Sequence, residues 1–246
     1  MATVDPRVDA AGDDAWGGWA REVAAREPER VAGFGLALVL GFVSGVAALV
    51  GFAWLSQQML GHQTQQLDDA TLAALRQFSS PLLEVVARGA SLLGSEVVLG
   101  LGVVLLIVFG WQRRWGAALG LLMTTAGAQM LNDLLKELFQ RTRPAPLATG
   151  PIAAQTFSFP SGHAMVAAAF YFFLAYLAWR MVRGAWRPVL VVGLLSVVLL
   201  IGLARLYLAA HFLSDVIAGY FAGFLWTDAV ITGGRLLTIH AGMLRR

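Results

Sequence analysis

Two of the four histidines in this chain stand where a histidine can do chemistry. His211 precedes Asp215 by four residues in "HFLSD", and His163 closes the tetrapeptide Pro160-Ser161-Gly162-His163. If a helix begins near His211, the two side chains share one of its faces. A carboxylate placed there can hold one ring N–H and leave the other nitrogen free and basic. A histidine prepared in that way acts as a nucleophile or a base. Around His163, Ser161 is a natural N-cap and Gly162 lets the backbone come close to a ligand. A helix N-terminus, with free amides and a positive dipole end, favours an anion. His62, in a polar loop, and His240, near the C-terminus, read as surface residues.

Three cations join the two histidines. Lys136 follows Asn132 by four residues, Arg143 comes seven residues later and immediately before Pro144, and Arg205 lies in the apolar stretch "IGLARLYLAAHF". Ionisable residues in apolar spans usually face a protein interior and mark function. Snorkelling of a long side chain to the interface would account for Lys136 alone, but less well for all three beside two histidines. Three cations, a helix N-terminus and two histidines at one depth describe a phosphate site. Phosphoryl transfer needs donors around the equatorial oxygens, an in-line nucleophile, and an acid at the leaving oxygen. The residues alone leave open which histidine attacks. A metal centre fits the same residues poorly, because spacings such as H-E-x-x-H are absent and three nearby cations would repel the ion.

The elements that must position these groups are membrane helices. Of 246 residues 58% are apolar and 13% charged, against about one-quarter charged in an ordinary soluble domain. Several runs reach the roughly 20 apolar residues that a bilayer crossing needs. The expected fold is all-α, a polytopic helical bundle with about six transmembrane helices, at 33–55, 92–110, 116–137, 162–182, 189–207 and 213–234. The first run is too long for a signal-peptide core. Residues 1–32 read as a cytoplasmic tail with Trp16 and Trp19, residues 33–235 as one membrane domain, and 236–246 as a short C-terminal tail. The stretch "LDDATLAALRQF" reads as an amphipathic helix on the membrane surface. Small residues recur four apart at Gly41 and Gly45, Gly116 and Gly120, and Gly219 and Gly223, a spacing that lets helices approach closely.

Charge orients the bundle. Arg7, Arg21, Arg26, Arg30, Arg113, Arg114, Arg180, Arg183, Arg187, Arg235, Arg245 and Arg246 would all be cytoplasmic, twelve of the 18 Lys and Arg. Basic residues favour that side, so the termini are expected inside the cytoplasmic (inner) membrane and the site at its extracytoplasmic face. Arg76, Arg88 and Arg141 on the other side read as solvated loop charge. The net charge of +3 is no nucleic-acid signal, because it sits between spans. The absence of cysteine excludes disulfide and thiolate chemistry.

Lys136-x6-Arg143-Pro144, Pro160-Ser161-Gly162-His163 and Arg205-x5-His211-x3-Asp215 together resemble the three signature motifs of the type 2 phosphatidic acid phosphatase superfamily. They match in order, internal spacing and placement against the expected spans. The third motif usually opens with serine, where this chain has Ala204. The resemblance implies a metal-independent phosphatase with no cofactor, working through a phosphohistidine. His211 would attack phosphorus with Asp215 orienting it, and His163 would protonate the leaving oxygen and then activate water. Lys136, Arg143 and Arg205 would hold the phosphate oxygens, helped by Ser161 and the Gly162 amide.

A substrate with a lipid tail and a phosphate head suits a site at the membrane–water interface. Within that family undecaprenyl diphosphate, phosphatidylglycerol phosphate and phosphatidic acid all qualify. The short linker "PAPLATGPIAAQTFSF" leaves little room for a covering domain and fits a lipid-accessible site. Two alternatives stay open on sequence. One is a lipid phosphotransferase using the same phosphohistidine; the other is a channel or carrier that binds anionic lipid without catalysis. The expected partners are thus a lipid phosphate and the bilayer, with no nucleic acid; oligomeric state is unreadable.

Overall fold

A computed structural model describes residues 35–36, 38–144 and 157–243 of the chain, with side chains as far as residue 236. The expected N-terminal tail, most of the linker after Pro144 and the side chain of His240 lie outside the described residues. The chain divides into two compact units, 1–44 and 45–246, and the site described below belongs wholly to the second.

Every described element is a helix. α1 (Leu38–Leu60) is followed by α2 (Gln65–Arg76), α3 (Pro81–Leu92), α4 (Glu96–Trp111) and α5 (Trp115–Phe139). After the linker come α6 (Gly162–Met181), α7 (Trp186–Tyr207) and α8 (Leu213–Met243). Five spans among the described residues are long and apolar enough to cross a bilayer: α1, α3 with α4, α6, α7, and α8 as far as Leu236. The span expected at 92–110 starts earlier, at Pro81, with a turn at 93–95 inside it. α8 continues as helix past 234, where its span was expected to end.

The sixth expected span, α5, has the length, 25 residues or about 37 Å at 1.5 Å per residue. It lacks the uniform apolarity, because Thr124, Thr125, Gln129, Asn132, Asp133 and Lys136 interrupt it. Four of these, Thr125, Gln129, Asn132 and Lys136, line one cavity. Gln129 and Asp133 lie on an exposed face and bond each other at 2.8 Å, so α5 is not among the five helices apolar enough to cross.

α6 is the most enclosed span, buried from Ala164 to Tyr171 without a break. Its run of alanines suits that place, since lipid offers no hydrophobic drive for helix association and small side chains permit close packing instead. Gly219 and Gly223 together form one seam between two helices. A methyl group at Gly223 would sit 2.4 Å from the Met165 carbonyl oxygen, and one at Gly219 would sit 2.9 Å from that of Ser161. Gly116, by contrast, has nothing within 4 Å, while a methyl at its partner Gly120 would meet the Phe173 ring. This seam sets the N-terminal end of α6 beside that of α8, where Ser161 N–H donates to the Asp215 carbonyl at 3.0 Å.

The helix expected on the surface is α2, and it is not merely a surface element. Leu72 packs with Ala209 and Phe212 in the α7–α8 turn, and Asp68 is buried. α2 therefore packs against the α7–α8 turn and the start of α8, behind the cavity.

Candidate active site

The functional side chains are set at helix ends or in the short segments that leave or enter them. Lys136 lies in the last turn of α5, which ends at Gln140 in a left-handed conformation (φ 46°) that turns the chain towards Arg143. Ser161 caps α6, its hydroxyl accepting from Ala164 N–H at 3.4 Å, and His163 lies in the first turn. Arg205 is in the last turn of α7. A turn through Ala209 (φ 46°) then brings His211 to the start of α8.

These residues meet in one cavity of about 630 Å³. Lys136, Arg143, Gly162, His163, Arg205 and His211 line its polar end, and leucines and valines of α4 and α5 line the rest. Glycine at 162 is needed for the approach, since a methyl there would lie 2.9 Å from Asn132 Oδ1 and 3.7 Å from Lys136 Nζ. Asn132, flagged with Lys136 in the sequence, donates through Nδ2 to the Pro160 carbonyl at 3.3 Å and so ties α5 to the Pro-Ser-Gly-His turn. Ser161 and Asp215 do not line the cavity; they are fully buried behind it.

The orientation of His211 is read from its two nitrogens. Nδ1 lies 2.9 Å from the Ser158 carbonyl oxygen, which can only accept, so Nδ1 carries the proton. Nε2 is left with its lone pair and lies 3.2 Å from Arg143 Nη1, which also donates to the Ala210 carbonyl at 2.9 Å. Burial, with Arg205 and Arg143 nearby, pushes the imidazole down to about 4 against the pull of Asp215. The ring is therefore neutral at pH 7, with an unprotonated Nε2 on the cavity.

Asp215 reaches His211 less directly than the four-residue spacing implies. Its Oδ2 is 3.5 Å from Nδ1 and accepts the Phe212 N–H at 2.9 Å, while its Oδ1 receives Arg141 Nη1 at 2.7 Å. The hydrogen bond that fixes the ring comes from the Ser158 carbonyl. Arg141, read from sequence as solvated loop charge, is largely buried and lies between two carboxylates, Asp215 and Asp68. Sequence reasoning missed Arg141, Asp68 and Ser158. The one local signal was an arginine two residues from a motif arginine, and an exposed loop would show the same.

The alanine in the third motif also has a structural reading. Ala204 packs with Ala87 and Ala90 of α3 and does not line the cavity. Arg205 takes a hydroxyl partner from elsewhere, donating through Nη1 to Ser91 Oγ of α3 at 2.9 Å.

Comparisons with known proteins point the same way as this geometry. A family model described as "PAP2 superfamily" matches residues 117–235. Phosphatidylglycerophosphatase B of Bacillus subtilis (strain 168) is 30% identical over 193 residues, covering 73% of this chain and 89% of that protein. Dolichyldiphosphatase 1 of Homo sapiens is 31% identical over 156 residues, covering 56% of this chain and 63% of that one. Among solved structures, a transmembrane PAP2 type phosphatidylglycerolphosphate phosphatase from Bacillus subtilis superposes with a TM-score of 0.70 at 29% identity. The match covers 76% of this chain and 94% of that one.

Proposed function

This chain belongs to the PAP2 superfamily of membrane lipid phosphatases, and we propose that it removes the terminal phosphate of an isoprenoid or glycerolipid phosphate through a phosphohistidine on His211. It is a multi-pass membrane protein and a phosphoric ester hydrolase. The observation that carries the finer reading is one cavity in which two histidines and three cations share one end and mostly apolar side chains, with Ser95, Thr125, Gln129 and Asn132 among them, form the remainder. A phosphate head fits the first part and a hydrocarbon tail the second.

In this mechanism Lys136, Arg143 and Arg205 hold the equatorial oxygens and offset the negative charge of the transferring group. His211 Nε2 attacks phosphorus in line, forming an N–P bond as the bond to the lipid oxygen breaks. His163, in its protonated form, delivers its proton to that oxygen and releases the lipid alcohol. Neutral His163 then takes a proton from water, the resulting hydroxide displaces phosphate from His211, and both histidines return to their starting states. The Gly162 amide at the head of α6 adds a donor for the anion. Fixed cations do the work of charge neutralisation that other phosphatases give to a metal, so the reaction proceeds without one.

The orientation follows from charge. Arg113, Arg114, Arg180, Arg183 and Arg187 cluster at the turns between α4 and α5 and between α6 and α7, the end remote from the site. That end faces the cytoplasm in this reading, in accord with the positive-inside rule, and the site faces outward. A cysteine at Thr149, the sole thiol in the chain, should react with an impermeant reagent on intact cells; labelling only after lysis inverts the topology.

The test of function is phosphate release by the purified protein from a panel of phosphatidic acid, phosphatidylglycerol phosphate and undecaprenyl diphosphate. Turnover on one or more of them, unchanged by EDTA and not raised by Mg²⁺, Zn²⁺ or Mn²⁺, is the expected result. Activity abolished by EDTA and restored by metal overturns the mechanism, and phosphate passed to another lipid instead of water makes the protein a transferase.

A further inference from the structure

We propose that Asp68 and Arg141 are positioning residues for the phosphatase reaction, forming a buried clamp behind Asp215 that limits how strongly Asp215 acts on His211. The inference rests on the reading of His211 as nucleophile and concerns what holds it in that state.

The clamp is a closed set of short contacts. Arg141 Nη1 donates to Asp215 Oδ1 and to Ser214 Oγ, both at 2.7 Å, and Nη2 donates to Asp68 Oδ2 at 2.8 Å. Its guanidinium carbon lies 4.2 Å above the centre of the Phe212 ring. Asp68 in turn accepts the Ser214 N–H on Oδ1 at 2.9 Å and the Ser214 hydroxyl on Oδ2 at 2.6 Å. It thereby places a carboxylate at the positive end of α8. The side chains of Asp68 and Asp215 are 1% and 0% exposed and that of Arg141 10%. Burying three charges costs desolvation that well-packed apolar residues would avoid, so such a network is weak evidence of a purely stabilising role.

Two routes lead from Arg141 to His211. Through its side chain it engages one oxygen of Asp215, while the other oxygen holds the Phe212 amide and lies 3.5 Å from His211 Nδ1. Through its backbone carbonyl it accepts the Ser158 N–H at 2.7 Å, and Ser158 presents the carbonyl that binds Nδ1. The groups facing His211 are Asp215 on α8, the Ser158 carbonyl before α6, His163 on α6, Arg143 after α5, Lys136 on α5 and Arg205 on α7; Arg141 and Asp68 stand behind Asp215. Asp215 is the only carboxylate in the first group, and Arg141 is the cation that draws on it. Arg141 thus commits one oxygen of Asp215 away from the ring, while burial keeps Nε2 unprotonated.

The sign of the test follows. Asp215 raises the imidazole pKa, so freeing Asp215 from Arg141 makes His211 protonate at a higher pH. Arg141→Gln should move the acid limb of kcat/KM upward by about one unit and lower kcat about ten- to a hundredfold, with KM changing less. That range is the one found when partners orienting a metal-bound histidine are lost. Asp68→Asn leaves Arg141 with Asp215 alone, so its acid limb should stay or move down while kcat falls. Arg141→Lys keeps the charge without the fork, so it should keep the wild-type limb and lose part of kcat.

These profiles are measured with phosphatidic acid in mixed micelles, on full-length protein checked for monodispersity. An acid limb raised in Arg141→Gln and unmoved or lowered in Asp68→Asn, with Arg141→Lys at the wild-type limb, supports the clamp; the reverse displacement overturns it. Unmoved limbs in all three variants, with losses confined to thermal stability, overturn it. If Arg141→Gln does not fold, the other two variants decide: a raised limb in either overturns the clamp, and the limbs given above support it. Activity retained by His211→Ala would instead remove the nucleophile reading beneath it, a different failure.

Discussion

The two sides of His211 carry similar charged groups and treat them in opposite ways. On the cavity side stand Lys136, Arg143 and Arg205, and among the described residues neither Lys136 nor Arg205 has a carboxylate within ion-pair distance. On the far side a single arginine, Arg141, lies 2.8 and 2.7 Å from the carboxylates of Asp68 and Asp215. Where an anionic phosphate has to be received, Lys136 and Arg205 leave the countercharge to the substrate. A region that has to hold a ring in place builds the countercharge in, because a buried charge without a partner is costly. Similar residue types at one membrane depth therefore divide into a binding half and a holding half.

The sharpest way to break that division is to remove each histidine in turn. Loss of the nucleophile is the largest expected effect: His211→Ala should be inactive on every substrate, since no N–P bond can form. His163→Ala should cost about 10²–10⁴-fold on a lipid phosphate. It should recover substantially on nitrophenyl phosphate, whose leaving group needs little protonation. Asp215→Asn, on the holding side, should fall between the two because it disturbs the ring without deleting it. Initial rates on both substrates check this, and recovery of His211→Ala instead of His163→Ala would exchange the two roles.

The smallest expected effects lie in the helix seam that keeps the halves in register. Gly223→Ala should lower stability by about 1–3 kcal/mol, because its new methyl meets the Met165 carbonyl oxygen in a packed seam. Gly116→Ala should stay within about 0.5 kcal/mol, since nothing lies within 4 Å of the added carbon. Thermal unfolding in detergent compares the two, and equal shifts would mean that the α6–α8 contact does not set the register of the site.

That pair also shows where reading a sequence stops. Gly116 and Gly120 have the same spacing as Gly219 and Gly223, yet only the second pair faces another helix backbone along both positions. Length, apolar composition and the spacing of the motif residues were legible because they are local. The apolar runs located five spans, and the motifs named both histidines and all three cations that line the polar end of the cavity. α5 was legible as a helix, and the cavity accounts for Thr125, Gln129, Asn132 and Lys136 among its polar residues.

The holding half was not legible, because its contacts join distant parts of the chain. Arg141 meets Asp68 across 73 residues, Asp68 meets Ser214 across 146, and Arg205 finds Ser91 across 114. The neighbours Asp68 and Asp69 make the limit concrete. They have the same side chain on the same amphipathic helix, but successive residues point about 100° apart around it. Asp69 is exposed and accepts from Gln65, whereas Asp68 is buried against Arg141 and the start of α8. Composition and periodicity made both of them polar residues on a helix. Which one became part of the site was decided by where α2 docks, and that depends on surfaces of α7 and α8 more than a hundred residues away.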